Sequence, residues 1–146
     1  MDNKLVVGIA DMKMTRQDGM LITYALGSCI GVCLYDPTIR LAALVHIMLP
    51  LNMGAGRKSP MKKQGGMRSR IVAKIAGGAR MFDVGGSGSL GNIGQRNIES
   101  THIVLRREGI RLLREDVGGS VARTLLFDAA SGQACVRSYG KPELIF

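Results

Sequence analysis

Two nearly continuous apolar runs, Cys29 to Tyr35 and Leu41 to Leu49, stand on either side of Asp36-Pro37-Thr38-Ile39. They constrain the fold more than anything else in the chain. Each is far too short to cross a membrane. Neither alternates between apolar and polar, so both are predicted to be strands covered on both faces. The intervening residues read as a turn: proline presets its own φ, and aspartate bonds back to nearby backbone. An antiparallel hairpin follows, and its register can be counted. With Asp36 to Ile39 as the loop, Tyr35 opposes Arg40 and Cys29 opposes His46. Opposed residues share a face with Cβ atoms about 4.5–5.5 Å apart, and a slip of one residue would separate them.

The remaining segments extend the same architecture. Leu5 to Ala10 and Met20 to Ala25 read as strands around Gln17-Asp18-Gly19, the second returning antiparallel to the first. Ile71 to Ala76 reads as a strand ending at Gly77-Gly78. A helix is predicted from about Asn97 to Glu108, with Ile98, Thr101, His102 and Leu105 at helical spacing and Gly109 as its stop. Ile110 to Leu113 is another strand, Asp116 to Gly119 a turn, and Val121 to Phe127 with Ala134 to Arg137 a hairpin. Asn52 to Arg70 and Asp83 to Gly91 read as glycine-rich loops. The chain has 20 glycines and no tryptophan in 146 residues, which suits many tight turns and an aliphatic core. The fold class is α+β, a strand-rich layered sandwich with packing helices, in a single domain spanning 1–146.

Three cysteines are too few for a disulfide framework. Together with an N-terminus lacking a secretory apolar region, this makes the cytoplasm the expected location. Cys29 is the candidate nucleophile. It follows Gly27-Ser28, small residues whose backbone N–H groups could hold an oxyanion. A thiol needs a nearby base, because the thiolate is the reactive form. One of only two histidines, His46, is placed to be that base. Thr23 supplies a hydroxyl within reach of a buried imidazole. The bland reading of Cys29 is a buried structural cysteine, and that reading is preferred for Cys33 and Cys135. A metal site at Cys29 and Cys33 is not expected, since this spacing on a strand separates the thiols by about 13 Å. Gly85-Gly86-Ser87-Gly88-Ser89 lacks the Gly-Lys-Ser/Thr ending of a phosphate loop. No cofactor is expected. The net charge of +9 suits an acidic partner. It comes without aromatic interleaving or a DNA-binding motif, so no nucleic-acid partner is expected.

Several stretches taken together resemble the chemoreceptor glutamine deamidase (CheD) family. They are Leu26-Gly27-Ser28-Cys29, Val32-Cys33-Leu34-Tyr35-Asp36-Pro37, Val45-His46-Ile47-Met48-Leu49-Pro50, the run from Ala73 to Phe82, Asn92-Ile93-Gly94-Gln95-Arg96-Asn97, Glu115 to Gly119, and Phe127-Asp128 to Gly132. The resemblance implies a fold shared with bacterial deamidating toxins. It implies hydrolysis of glutamine side chains on the cytoplasmic helices of chemotaxis receptors, with methyl-ester hydrolysis in some members. It implies a catalytic set of Cys29, His46 and Thr23, and binding to a CheC-type phosphatase. The family carries a longer stretch, including a helix, where this chain has Asn52 to Arg70. A non-catalytic adaptor that binds receptors or the phosphatase is the alternative reading.

Overall fold

The computed structural model describes residues 4–48, 61, 64–81 and 93–146. The loops read at Asp83 to Gly91 and over most of Asn52 to Arg70 lie outside the described residues, as does the Gly85 to Ser89 motif. Among the described residues, ten strands form two five-stranded sheets, and one long helix accompanies them. The first sheet runs in the order β1 (Lys4–Val6), β3 (Met20–Leu26), β8 (Arg123–Asp128), β9 (Ala134–Ser138), β10 (Leu144–Ile145). The second runs β2 (Met12–Arg16), β5 (Leu41–Ile47), β4 (Ile30–Asp36), β6 (Val72–Gly77), β7 (Arg111–Val117). The α+β layered sandwich read from the sequence is the observed architecture.

The two apolar runs became β4 and β5, side by side in the second sheet and almost wholly buried. One face of β4, with Cys33 and Tyr35, packs with Leu21, Leu125, Phe127 and Val136 of the first sheet. The opposite face, with Ile30 and Val32, packs with Ile98 and Leu105 of the helix α1 (Ile93–Arg107). The layers are therefore sheet, sheet, helix. Each face of β4 and β5 meets an apolar layer, which is why their sequences do not alternate. The helix also forms part of the connection between β6 and β7. These strands pair in parallel and so need a long crossover.

Three expectations are corrected. First, the hairpin register is shifted by two: Asp36 pairs with Leu41, and His46 pairs with Gly31 instead of Cys29. The cause is Asp36. Its buried carboxylate accepts from Thr38 N and Met67 N, both at 3.1 Å, and from Arg70 Nη2 at 2.7 Å. These bonds hold Asp36 as the last strand residue, and the loop moves to Pro37 to Arg40, with Arg40 at a φ of 50°. Burial pushes the Asp36 carboxyl up, but Arg70 and the two N–H donors outweigh it and hold it below the usual range. A shift of two preserves faces, so Cys29 stays on the His46 side of the sheet, one step before β4.

Second, the N-terminal strand stops at Val6 and pairs with β3 in parallel, not antiparallel. The residues after it leave the first sheet. Val7 N still bonds Ile22 O, whereas Ala10 N donates to His46 O and His46 N to Asp11 O. This strap leads into β2, which alternates weakly and was not predicted. Third, the helix begins before Asn97, and the strand after it runs to Val117, so Asp116 belongs to a strand and not to a turn.

Candidate active site

The inter-sheet face of β3 and β5 holds an unusual polar pair in an otherwise apolar layer. Thr23 is 0% and His46 3% exposed. Thr23 Oγ1 lies 2.8 Å from His46 Nδ1, a hydrogen bond from one sheet to the other. Sheets normally pack about 10 Å apart, so such a short link needs local thinning. Gly31, the partner of His46 across the hairpin, supplies it. A Cβ there would meet Leu125 Cδ2 at 2.7 Å and Leu26 Cδ1 at 3.1 Å, and would touch Thr23 Cγ2 at 3.6 Å.

The network decides the imidazole tautomer. Thr23 Oγ1 is also 2.8 Å from the carbonyl oxygen of Val7. A carbonyl only accepts, and the hydroxyl has one proton, so Thr23 donates to Val7 O. The contact with His46 is then donated by Nδ1–H. In the neutral ring the lone pair sits on Nε2. Nε2 is buried and has no hydrogen-bond partner among the described residues. Burial pulls the His46 pKa below 6.5, so the ring is neutral at pH 7. The outcome is a base of defined tautomer with its free lone pair in an apolar layer.

Cys29 sits on the same side of the second sheet, packed against the inter-sheet core and partly exposed. Burial raises its thiol above the ordinary 9.0. The resting pair is therefore thiol and imidazole, not thiolate and imidazolium. Sγ makes no hydrogen bond to Nε2 in this state. The structure joins Thr23 to His46 and carries Cys29 on the same face of the second sheet, with no direct bond to either.

The turn carrying Cys29 is held by its carbonyls. Gly27 O accepts from Ala79 N at 2.9 Å, Ser28 O from Asn97 Nδ2 at 2.7 Å, and Cys29 O from Gly78 N at 2.9 Å. Among the described residues the N–H groups of Ser28 and Cys29 have no acceptor. Gly77 makes the close approach of the two loops possible: at its φ of 120° a Cβ would collide with the Cys29 carbonyl oxygen. Arg123, 6% exposed, braces the other side, with Nη1 on Gly77 O at 3.2 Å and Nε on Asp116 at 2.9 Å. The side chain of Met81 lies over Gly27. The exposed Met48 directly follows Ile47, the partner of Ile30, just as Cys29 directly precedes Ile30.

Sequence reasoning missed the Val7 carbonyl, Asn97 and Arg123. Only Asn97 left a signal. It is a polar residue in the stripe Gly94, Asn97, Ile98, Thr101, Val104 and Leu105, all buried. The other cysteines sit elsewhere. Cys33 is buried mid-strand, its thiol pushed far up by burial despite Lys74 opposite. Cys135 lies in β9. His102 bonds Glu115 at 2.9 Å on the flank of the helix. Among the described residues no cluster of His, Cys, Asp and Glu could hold a metal ion, and no helix is long and apolar enough to cross a membrane.

Comparison with known proteins points one way. A family profile described as CheD chemotactic sensory transduction matches residues 58–138. The match begins after Thr23, Cys29 and His46, but full-length relatives span them. The probable chemoreceptor glutamine deamidase CheD of Desulforamulus reducens is 43% identical over 95% of this chain and 93% of its own length. The protein of the same description from Syntrophomonas wolfei is 41% identical over 99% of both chains. That alignment spans 160 residues against the 146 of this chain, so the relative carries residues this chain lacks. The profile covers more than half of the chain and the relatives nearly all of it: the chain belongs to the CheD family.

Proposed function

We propose that this protein hydrolyses glutamine side-chain amides on chemoreceptors, releasing ammonia and leaving glutamate, with Cys29 as nucleophile, His46 as general base and acid, and Thr23 as the group that orients His46. The reading rests on one observation above all. His46 has Nδ1 committed to Thr23 and an unpartnered Nε2 on the face that carries Cys29. A purely structural histidine in a core satisfies both nitrogens.

Sγ closes on Nε2 as the substrate docks; catalytic hydrogen bonds of unliganded sites tighten in this way. Nε2 takes the thiol proton while sulfur attacks the carboxamide carbon. The carbonyl π pair moves to oxygen, and the oxyanion is received by the Ser28 and Cys29 N–H groups at Gly27-Ser28-Cys29. His46 returns the proton to the departing nitrogen, the C–N bond breaks, ammonia leaves, and a thioester remains. Water then gives a proton to Nε2 and its oxygen to the thioester carbon. The C–S bond breaks and the thiol is restored. A methyl ester at the same position would follow the same path with methanol as leaving group. Met48 and Met81 give the aliphatic stem an apolar rim. The +9 charge favours acidic receptor helices, in the cytoplasm where those helices lie. A CheC-type phosphatase would bind as a second partner. An adaptor has no use for an orphaned buried lone pair on the face that carries a thiol, which favours the enzyme.

The test is mass spectrometry of receptor cytoplasmic fragments incubated with the protein. Glutamine-to-glutamate conversion with ammonia release is expected, and Cys29→Ala should abolish it. Undiminished conversion by that variant would remove Cys29 from the mechanism.

A further inference from the structure

Three consecutive carbonyls, those of Gly27, Ser28 and Cys29, are tied back, but not by equivalent partners. The first and third accept from backbone N–H groups of Ala79 and Gly78. The middle one accepts from a side chain, Asn97 Nδ2. A carbonyl only accepts, so the amide nitrogen of Asn97 must be the atom facing Ser28 O. Asn97 comes from α1, on the outer side of the second sheet, and is 5% exposed. Its own backbone is steadied by Thr101 Oγ1, which donates to Asn97 O at 2.7 Å. The helix can come this close because of Gly94. A Cβ at that position would meet Gly78 O at 2.5 Å and Ala79 O at 2.6 Å.

The Ser28 carbonyl and the Cys29 N–H are the two ends of one trans peptide plane, so they point in opposite directions. Pulling the oxygen toward α1 turns the N–H away from the helix, to the side where Cys29 packs against the inter-sheet core. That N–H has no acceptor among the described residues. We propose that Asn97 is a positioning residue for the deamidation reaction: it locks the Ser28–Cys29 peptide so that the Cys29 N–H faces the oxyanion. The inference rests on the function proposed above and adds a residue on the far side of the sheet. Asn97 touches neither substrate nor thiol. Without it this peptide alone of the three loses its tether and is free to rotate.

The expected effect is that of removing an oxyanion donor, a loss of about 10²-fold in kcat. Asn97→Asp keeps the shape but cannot donate, and Asn97→Ala removes the group without adding charge, so one variant remains if the other folds poorly. Each would be assayed for ammonia release from a glutamine-bearing receptor fragment. Cys29 alkylation by iodoacetamide would be followed in parallel by peptide mapping. Alkylation forms no oxyanion and reads only the access and basicity of the thiol. The expected result is a fall in kcat with KM and the alkylation rate within about twofold of the parent. Unchanged kcat overturns the proposal. So does alkylation falling in step with kcat, because Asn97 would then merely hold the turn together. An inactive parent protein, by contrast, overturns the deamidase reading itself and this inference with it.

Discussion

Replacing Thr23 with valine tests the argument that decides the tautomer of His46. The change keeps the shape and deletes one hydroxyl that is 2.8 Å from both Val7 O and His46 Nδ1. Two buried polar groups then lose their partner, each costing about 1–3 kcal/mol, or roughly 2–5 kcal/mol together once partial relaxation is allowed. For a chain of this size that corresponds to a fall in Tm of roughly 6–20 °C. Thr23→Ser is the control. It keeps the hydroxyl and loses a methyl group, worth about 1 kcal/mol or roughly 3–4 °C. Thermal unfolding followed by circular dichroism reads both. Nitrogen-15 NMR reads the tautomer, and the spectrum is simple because the chain has two histidines and His102→Gln removes the second. The parent should show Nδ1 protonated and Nε2 bare at pH 7, and the valine variant a mixture. Threonine carries no charge to stabilise imidazolium, so kcat/KM should fall only about tenfold, close to one net hydrogen bond. A valine variant as stable as the serine variant would refute the reasoning, as would a parent protein with the proton on Nε2.

Burial lowers the His46 pKa and raises that of Cys29, so the acid limb of kcat/KM should lie below pH 6.5, and alkylation of Cys29 in a Cys135→Ser background should climb only above pH 9.0. His46 is protonated more readily in the unfolded chain than in the folded one, so its contribution to stability is complete above pH 6.5 and declines as the pH falls below that value; alkylation with a midpoint near neutrality would instead reveal a preformed thiolate–imidazolium pair. Gly31→Ala would drive a methyl into Leu125 and Leu26, destabilising by about 1–3 kcal/mol and prising Thr23 from His46; a variant that loses stability but keeps full activity would show that the sheets need not close at that point.

Much of the arrangement was legible because strand patterning is a local property. The runs at β4 and β5 are apolar on both faces, and both faces are covered. The turn after Phe127 and the stop at Gly109 carry residues whose backbone preferences are their own. The parity of Cys29 and His46 survived a wrong register, because a shift of two leaves every side chain on the same face. What failed depended on partners distant in sequence. Asp36 looked like a turn residue, and Arg70 and Met67, more than thirty residues on, keep it in the strand. The strand at Lys4 looked like the partner of a local hairpin. It lies parallel to β3 because the strap after it crosses to the other sheet.

The candidate site divides along the same line. The chain itself determined that a hydroxyl, a thiol and an imidazole fall on or just before three successive strands, because residue identity and periodicity are written in one dimension. Only the tertiary structure decided how they are connected. The Val7 carbonyl claims the single proton of Thr23, Thr23 thereby fixes the proton of His46 on Nδ1, and Asn97 donates to the Ser28 carbonyl from the far side of the sheet. Backbone carbonyls look alike in every sequence. Which of them accepts a given proton is settled only when separate layers pack within hydrogen-bond distance.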